Sequence, residues 1–434
     1  MVYVNTKKKV AFISSYSPRK CGIATFTSDL IRNITLAAGE RFEPVVAAMG
    51  TDSNLEYITP VALEIRKNVR YDYVSAADYI NCSDVDAVSV QHEFGLFGGE
   101  AGSYLGTLLK RLNKPVVATL HTVLDSPSAE YFDSMIDLCD TCDRIIVMNE
   151  RGIEMLQDIY GVPRRKISLI PHGIPDLPFI DTDYHKRGLG IADRKTILTF
   201  GLLSRNKGIE VMIKALPRVV EADPSVLYIV LGATHPEVLR HEGHSYLLEL
   251  EEMIADLGLK NNVTFCNHFV SNRELFRFLH ATDLYATPYL HKQQLTSGTL
   301  AFAVGAGKAV ISTPYWAAEE LLAEGRGRLV PFCDSERMAR ATIEILTDDS
   351  LAFEMRKRAY EYGRSMTWPK VGAAYWNILQ TLTVPARSNA YSSAYNVKSR
   401  DHRRIYLPAS EVRSVNPGQF GDNCRAGALG SAID

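Results

Sequence analysis

The feature that most constrains this chain is a repeated alternation of short apolar runs with segments of helical spacing. Runs at 10–14, 44–48, 85–90, 115–120, 144–147 and 167–170 are mostly apolar, and helix-like segments such as 104–112 and 150–160 lie between them. Strands this apolar must be covered on both faces, and parallel pairing needs a crossover after each strand. The pattern therefore predicts a doubly wound parallel sheet with helices on either side. A second series begins at 197–200 and continues through 226–231, 263–266, 284–287 and 309–312, with helices at 209–221, 246–257, 273–280 and 335–347. The two series are separated by 171–194, which holds Pro171, Pro175, Pro178, Gly173, Gly188 and Gly190 and has no apolar periodicity. That segment reads as an interdomain connection. Two such sheets leave a crevice facing the carboxyl ends of their strands, where ligands bind in this architecture.

Composition narrows the function classes. With 48 basic and 50 acidic residues in 434, the net charge of -2 offers no electrostatic argument for a nucleic acid or an anionic membrane. No apolar run approaches the length of a bilayer span, so at most peripheral membrane contact and a cytoplasmic location are expected. The seven cysteines are scattered and odd in number, which fits reduced thiols. Cys139 and Cys142 form a lone CxxC at the end of an apolar helix pattern, and core packing is expected of them.

The stretch 283–322 concentrates the candidate chemistry. A strand is followed by the polar loop 288–296, the small residues Ser297, Gly298 and Thr299, and the apolar helix pattern 300–304 that ends at Gly305 and Gly307. The first turn of such a helix presents free backbone N–H groups to an anion, with no bulky side chain in the way.

Segments in both halves then carry a family likeness. SPRKCGIATFTSDL (17–30), VQHEFGLFGGEAG (90–102), ATLHTVL (118–124), LIPHGIPD (169–176), TFGLLSRNKGIEVMIKAL (199–216), LGATHP (231–236) and GKAVIST (307–313) resemble, in order, the motifs of the GT-B glycosyltransferases of family 4, and more closely a mannosyltransferase-like subgroup. The resemblance implies an α/β fold of two facing Rossmann-like doubly wound parallel-sheet domains with a C-terminal crossover helix. The domains are an N-terminal acceptor domain at 1–178, a linker at 179–194 and a C-terminal nucleotide-sugar domain at 195–367. Segment 368–384 is the helix that crosses back, and the tail 385–434, rich in Ser, Asn, Arg and Gly, is expected to be poorly ordered.

The implied activity is retaining transfer of a hexose, mannose as first choice, from a nucleotide-diphosphate sugar such as GDP-mannose to a saccharide or glycoconjugate acceptor. The leaving phosphate itself helps deprotonate the acceptor in the mechanism proposed for the family. No cofactor and no metal are expected, since no Asp-x-Asp pair stands out in the cleft loops. A departing diphosphate needs cations and oriented N–H groups converging on it. Lys207 matches the family's phosphate-binding lysine, and Arg205 stands two residues before it, where it can replace the arginine that corresponds to Leu202 here. Together with His121, which follows the strand 115–120, these form the expected catalytic set. Gly22, Gln294, Ser297, Gly298, Thr299 and Glu320 are expected on the donor, and His268, Phe269 and Val270 near its base. His92 and Glu93 are assigned to the acceptor side, and His172 to a structural role.

One departure is marked. Family 4 carries two glutamates eight positions apart across this helix, and Gln294 and Phe302 occupy those positions here. Gln294 keeps hydrogen bonding without charge, whereas Phe302 cannot bond a ribose, which leaves Glu320 as the nearest carboxylate for it. A non-catalytic GT-B nucleotide- or sugar-binding protein, and a GT-B phosphorylase or epimerase, remain open as alternatives.

Overall fold

The computed structural model describes residues 7–50 and 55–382; the tail expected at 385–434 lies outside them. The N-terminal sheet contains β1 (Lys8–Ser14), β2 (Phe42–Gly50), β3 (Val61–Arg66), β4 (Ala87–His92), β5 (Val116–Leu120), β6 (Arg144–Val147) and β7 (Ile167–Leu169). All pairings are parallel, in the order β3-β2-β1-β4-β5-β6-β7. The C-terminal sheet contains β8 (Thr196–Phe200), β9 (Leu227–Leu231), β10 (Val263–Cys266), β11 (Leu284–Thr287), β12 (Ala309–Ser312) and β13 (Arg328–Leu329). It too is parallel, ordered β10-β9-β8-β11-β12-β13. Each sheet has an apolar cluster on either face, as the both-sides-apolar strands require.

The expected pair of Rossmann-like sheets is present. Two strands escaped the sequence reading. β3 is an edge strand whose residues are mostly half-exposed, and β13 has two residues, so neither presents an apolar run. The segment expected to be a bare linker also carries structure. Helix Asp183–Leu189 buries Lys186, whose ammonium lies 2.7 Å from a carboxylate oxygen of Asp283, so the chain is bound to the C-terminal domain there. Cys139 and Cys142 are buried in the N-terminal core.

Two strips connect the domains side by side. The Ile174 N–H donates to Met366 O (3.0 Å) and the Trp368 N–H donates to Ile174 O (2.8 Å). From there helix Trp368–Thr381 packs on helix Gly22–Ala38 in the N-terminal domain. The approach is so close that a Cβ on Gly372 would stand 2.5 Å from the Asn33 carbonyl carbon. Farther along the same helix, Tyr375 Oη meets Thr119 Oγ1 at 3.0 Å beneath the sheet.

Candidate active site

A cavity of about 1210 Å³ lies between the carboxyl ends of the two sheets. Its C-terminal wall is built around helix Gly298–Gly305, whose residues from Leu300 onward are all buried. Ser297 caps the helix by accepting the Leu300 N–H at its hydroxyl, and the first intrahelical bond runs from the Ala301 N–H to Ser297 O. The N–H groups of Gly298 and Thr299 therefore precede the helical ladder, and both residues line the cavity.

Gly298 is required by the opposite wall. A Cβ there would lie 2.9 Å from His172 Nε2. His172 donates from Nδ1 to Gly173 O (2.8 Å), so Nε2 carries the lone pair toward the helix start. Burial lowers its pKa to about 4, which keeps the ring neutral. The ring lines the cavity beside Phe302, at 6.1 Å between centroids, and Trp368.

Lys207 is buried behind this wall. Its ammonium donates to Tyr289 Oη (2.9 Å) and sits 4.4 Å from the ring centroid, while Tyr289 Oη meets Thr299 Oγ1 at 3.1 Å. Gly201, at φ +133, is the thin point between this lysine and the cavity: a Cβ there would stand 3.8 Å from Lys207 Nζ and 3.3 Å from Thr299 Cγ2. Gln294 lines the cavity and donates from Nε2 to Thr296 O (3.3 Å).

On the N-terminal wall Gly22 opens helix Gly22–Ala38 and faces the cavity. His121 lines the same wall, with its Nε2 3.0 Å from Gln91 Oε1 and its ring edge-on to Phe26. Burial, helped by His172 and His92, pulls its pKa down to about 3. The neutral ring donates to Gln91 and keeps Nδ1 as an acceptor. Glu93 is buried at the cavity edge and accepts from the Thr122 hydroxyl (2.6 Å). Burial raises its carboxyl to about 7, against the bonds from Thr122 and from the Phe94 and Gly95 N–H groups.

Neither Lys207 nor Ser297 lines the cavity directly, and four further expected residues are turned away from it. Arg205 points outward, held by Glu242 (2.8 Å) and by both oxygens of Glu249 (2.7 Å), and does not line the cavity. Glu320 turns away from the cavity and accepts the Glu150 N–H (3.1 and 3.2 Å) at the start of helix Glu150–Asp158 in the other domain. A carboxylate is favoured at that helix end by its partial positive charge. His92 points to the other face of β4, stacked on Phe97 and edge-on to Phe94. Strand alternation alone forbids it from sharing a face with Glu93. His268 is exposed and paired with Glu274 Oε1 (2.9 Å), while Phe269 and Val270 line the cavity.

The sequence reading missed Tyr289, Arg19 and Lys20. Tyr289 directly follows the β11 end and Pro288, the strand-end position where cleft residues gather. Arg19 and Lys20 lie in the turn before Gly22 and line the cavity, Lys20 lying 5.7 Å from the Phe269 ring centroid across the cleft. Among the described residues no group of three or more His, Cys, Asp or Glu could hold a metal ion, and no helix is long and apolar enough to cross a membrane.

Comparisons with known proteins agree with this geometry. Residues 181–366 match the model for glycosyl transferases group 1, and residues 28–176 match that for glycosyltransferase family 4. A phosphatidyl-myo-inositol mannosyltransferase of Mycolicibacterium smegmatis is 28% identical over 221 residues, 49% of this chain and 52% of that protein. The chain thus matches about half the length of that relative. Sucrose-phosphate synthase from Thermosynechococcus elongatus superposes with a TM-score of 0.70 at 17% identity, covering 86% of this chain and 98% of that one. Anabaena HepE in complex with UDP superposes with a TM-score of 0.68 at 19% identity, over 86% and 100%. With a family model matched in each of its two domains, the chain belongs to the GT-B glycosyltransferases of family 4.

Proposed function

We propose that this protein is a retaining, metal-independent hexosyltransferase that uses a nucleotide-diphosphate sugar and a saccharide or glycoconjugate acceptor. The observation that carries the reading is the convergence on one interdomain cavity of the Gly298 and Thr299 N–H groups and the Lys207–Tyr289–Thr299 chain. A cation and a helix N-terminus aimed at one leaving group stabilise a departing diphosphate without a metal. His121 and Gly22 line the same cavity from the other domain, and we assign them to the transferred sugar and the donor phosphates. His121, its pKa pulled down to about 3, is a weak base, and the acceptor proton is assigned here to the leaving phosphate, as in the mechanism proposed for the family. Mannose is the first donor sugar to test, given the mannosyltransferase among the relatives, and the UDP complex of HepE makes UDP-sugars the second.

A second reading has its own observation. Phe302 packs on His172 and Phe200 at the cavity, so a ribose finds no carboxylate at that position. A chain that binds a nucleotide sugar without transferring it would tolerate this.

The test is a panel of GDP- and UDP-sugars, scored by thermal shift and by release of nucleoside diphosphate, with and without saccharides and with free phosphate as a separate arm. The transferase reading expects diphosphate release that accelerates with a saccharide, and NMR of the product showing the donor's anomeric configuration. Thermal stabilisation without release selects the binding protein. Dependence on free phosphate selects a phosphorylase.

A further inference from the structure

The acceptor half of the cavity has a chemical character of its own. It is formed by the turn after β4 and the loop after β5, where Glu93, Thr122, Asp125 and Ser126 offer oxygen atoms. Phe94 and Tyr131 stand beside them as an edge-to-face pair, 4.9 Å between centroids, and both line the cavity. Among the described residues no lysine or arginine lines this part of the wall. The two that line the cavity, Arg19 and Lys20, sit in the turn after β1 and are directed elsewhere, Arg19 toward Met49 O at the end of β2 and Lys20 toward Phe269. Glu93 is 6% exposed, so a ligand meets its carboxyl largely shielded from water.

We infer that the acceptor is an uncharged saccharide, whose hydroxyls donate to Glu93 and Asp125 and whose carbon face packs on Phe94 and Tyr131, and that phosphate-bearing acceptors are rejected. The inference rests on the transferase reading for the word acceptor, but it concerns the wall itself. Sugar hydroxyls are donors that suit carboxylate acceptors, and charge-assisted bonds are the stronger kind. At pH 8, where Glu93 is mostly ionised, a phosphate dianion beside Glu93 and Asp125 gains nothing from them and is repelled, most strongly by the buried Glu93. Specificity of this kind comes from the repulsive element as much as from the attractive one.

The experiment measures binding and transfer separately on the full chain. Mannose, glucose and mannobiose are compared with mannose 6-phosphate, glucose 6-phosphate and myo-inositol 1-phosphate. Binding is read by saturation-transfer NMR at pH 8 in the presence of the nucleoside diphosphate that gives the largest thermal shift, and transfer by product formation with its sugar nucleotide. Neutral sugars are expected to bind at least about tenfold more tightly than phosphate esters, a gap of about 1.4 kcal/mol. Glu93→Gln, its folding checked by thermal melting, is expected to weaken neutral-sugar binding about tenfold. Asp125 is exposed, so Asp125→Lys tests the rule without disturbing the core and is expected to narrow or invert the preference against phosphate esters. Preferential binding of a phosphate ester by the unmodified protein overturns the inference, as does neutral-sugar binding that both variants leave unchanged. Saccharide binding with the expected selectivity but without sugar transfer overturns the transferase reading and leaves this one standing.

Discussion

At the scale of single residues, Lys207 and Arg205 make opposite forecasts although they lie two positions apart. Lys207 is buried against Tyr289 at the cavity wall, and Lys207→Ala is expected to lower kcat/KM by roughly 10²–10³, the loss typical of one charge-stabilising donor. Arg205 spends its guanidinium on Glu242 and Glu249 at the surface, so Arg205→Ala is expected to change the rate less than about threefold, as exposed ion pairs contribute little. Equal losses in steady-state kinetics of the two variants would refute that division. Glu93 supplies a pH test. Its carboxyl is raised by burial from an ordinary 4.5 to about 7, so the folded protein holds this proton more tightly than the unfolded chain. The native state is then favoured below about 4.5 and loses that advantage as pH rises toward 7. Glu93→Gln is expected to stabilise the protein at pH 8 by up to roughly 3 kcal/mol and to do little at pH 4.5. Melting curves at the two pH values check the sign. Which residues sit in the cleft was half legible. Glycines and a lysine in loops after strands can be read from the chain, but His268, Glu320 and Arg205 are turned by partners that the local pattern does not indicate, respectively six, 170 and 37 or more positions off.

At the scale of elements, the strands were legible because burial on both faces leaves runs of apolar residues that nothing else explains. β3 was not, since an edge strand has one side to solvent and its side chains need not be apolar. Helix Gly298–Gly305 was legible from its small first turn and its closing glycine, and Gly307 takes the positive φ of +64 that such an end needs. Its seating against His172 was invisible, because that contact joins the linker to the C-terminal domain in space alone. The contact predicts a tight coupling. Gly298→Ala pushes a methyl to within 2.9 Å of His172 Nε2 and 3.2 Å of Cε1, so ring or helix start must shift by several tenths of an ångström. We expect kcat/KM to fall about tenfold with little change in melting temperature, since misplacement near the reacting groups costs rate more than stability. In the His172→Ala background the same alanine is expected to cost almost nothing, because neighbours that share a contact are not additive. Additive losses would place the effect of Gly298 elsewhere.

At the scale of the whole molecule, the contacts between the two domains among the described residues include the hinge strip and both rims of the cleft. The backbone strip at Ile174 and Trp368 is continuous with the chain crossings, where hinging is expected. Lys20 meets Phe269 at one rim of the cleft. At the other rim Asn149 donates to Leu295 O, the Glu150 N–H donates to Glu320, and the Arg151 guanidinium lies 4.8 Å from the Trp316 ring centroid. Leu295 and Trp316 belong to the C-terminal domain yet are buried in the apolar cluster of the N-terminal one. These contacts hold the two walls of the cavity together at that rim. Each polar contact is modest: a carboxylate at a helix start contributes about 0.3–1 kcal/mol, rising to ~2 when partly buried, and a cation over an aromatic ring about 0.5–2 kcal/mol. Removing both with Glu320→Ala and Arg151→Ala forfeits on the order of 1–4 kcal/mol of closure, the sum of those ranges, enough to shift a two-state equilibrium by a factor of five or more. Small-angle scattering of the double variant without ligand is expected to give a larger radius of gyration than the unmodified protein. A saturating nucleotide sugar is expected to restore the compact profile, since a ligand bound by both walls favours the closed state. An unchanged profile for the ligand-free variant would mean that the hinge strip and the apolar contact alone hold the domains together.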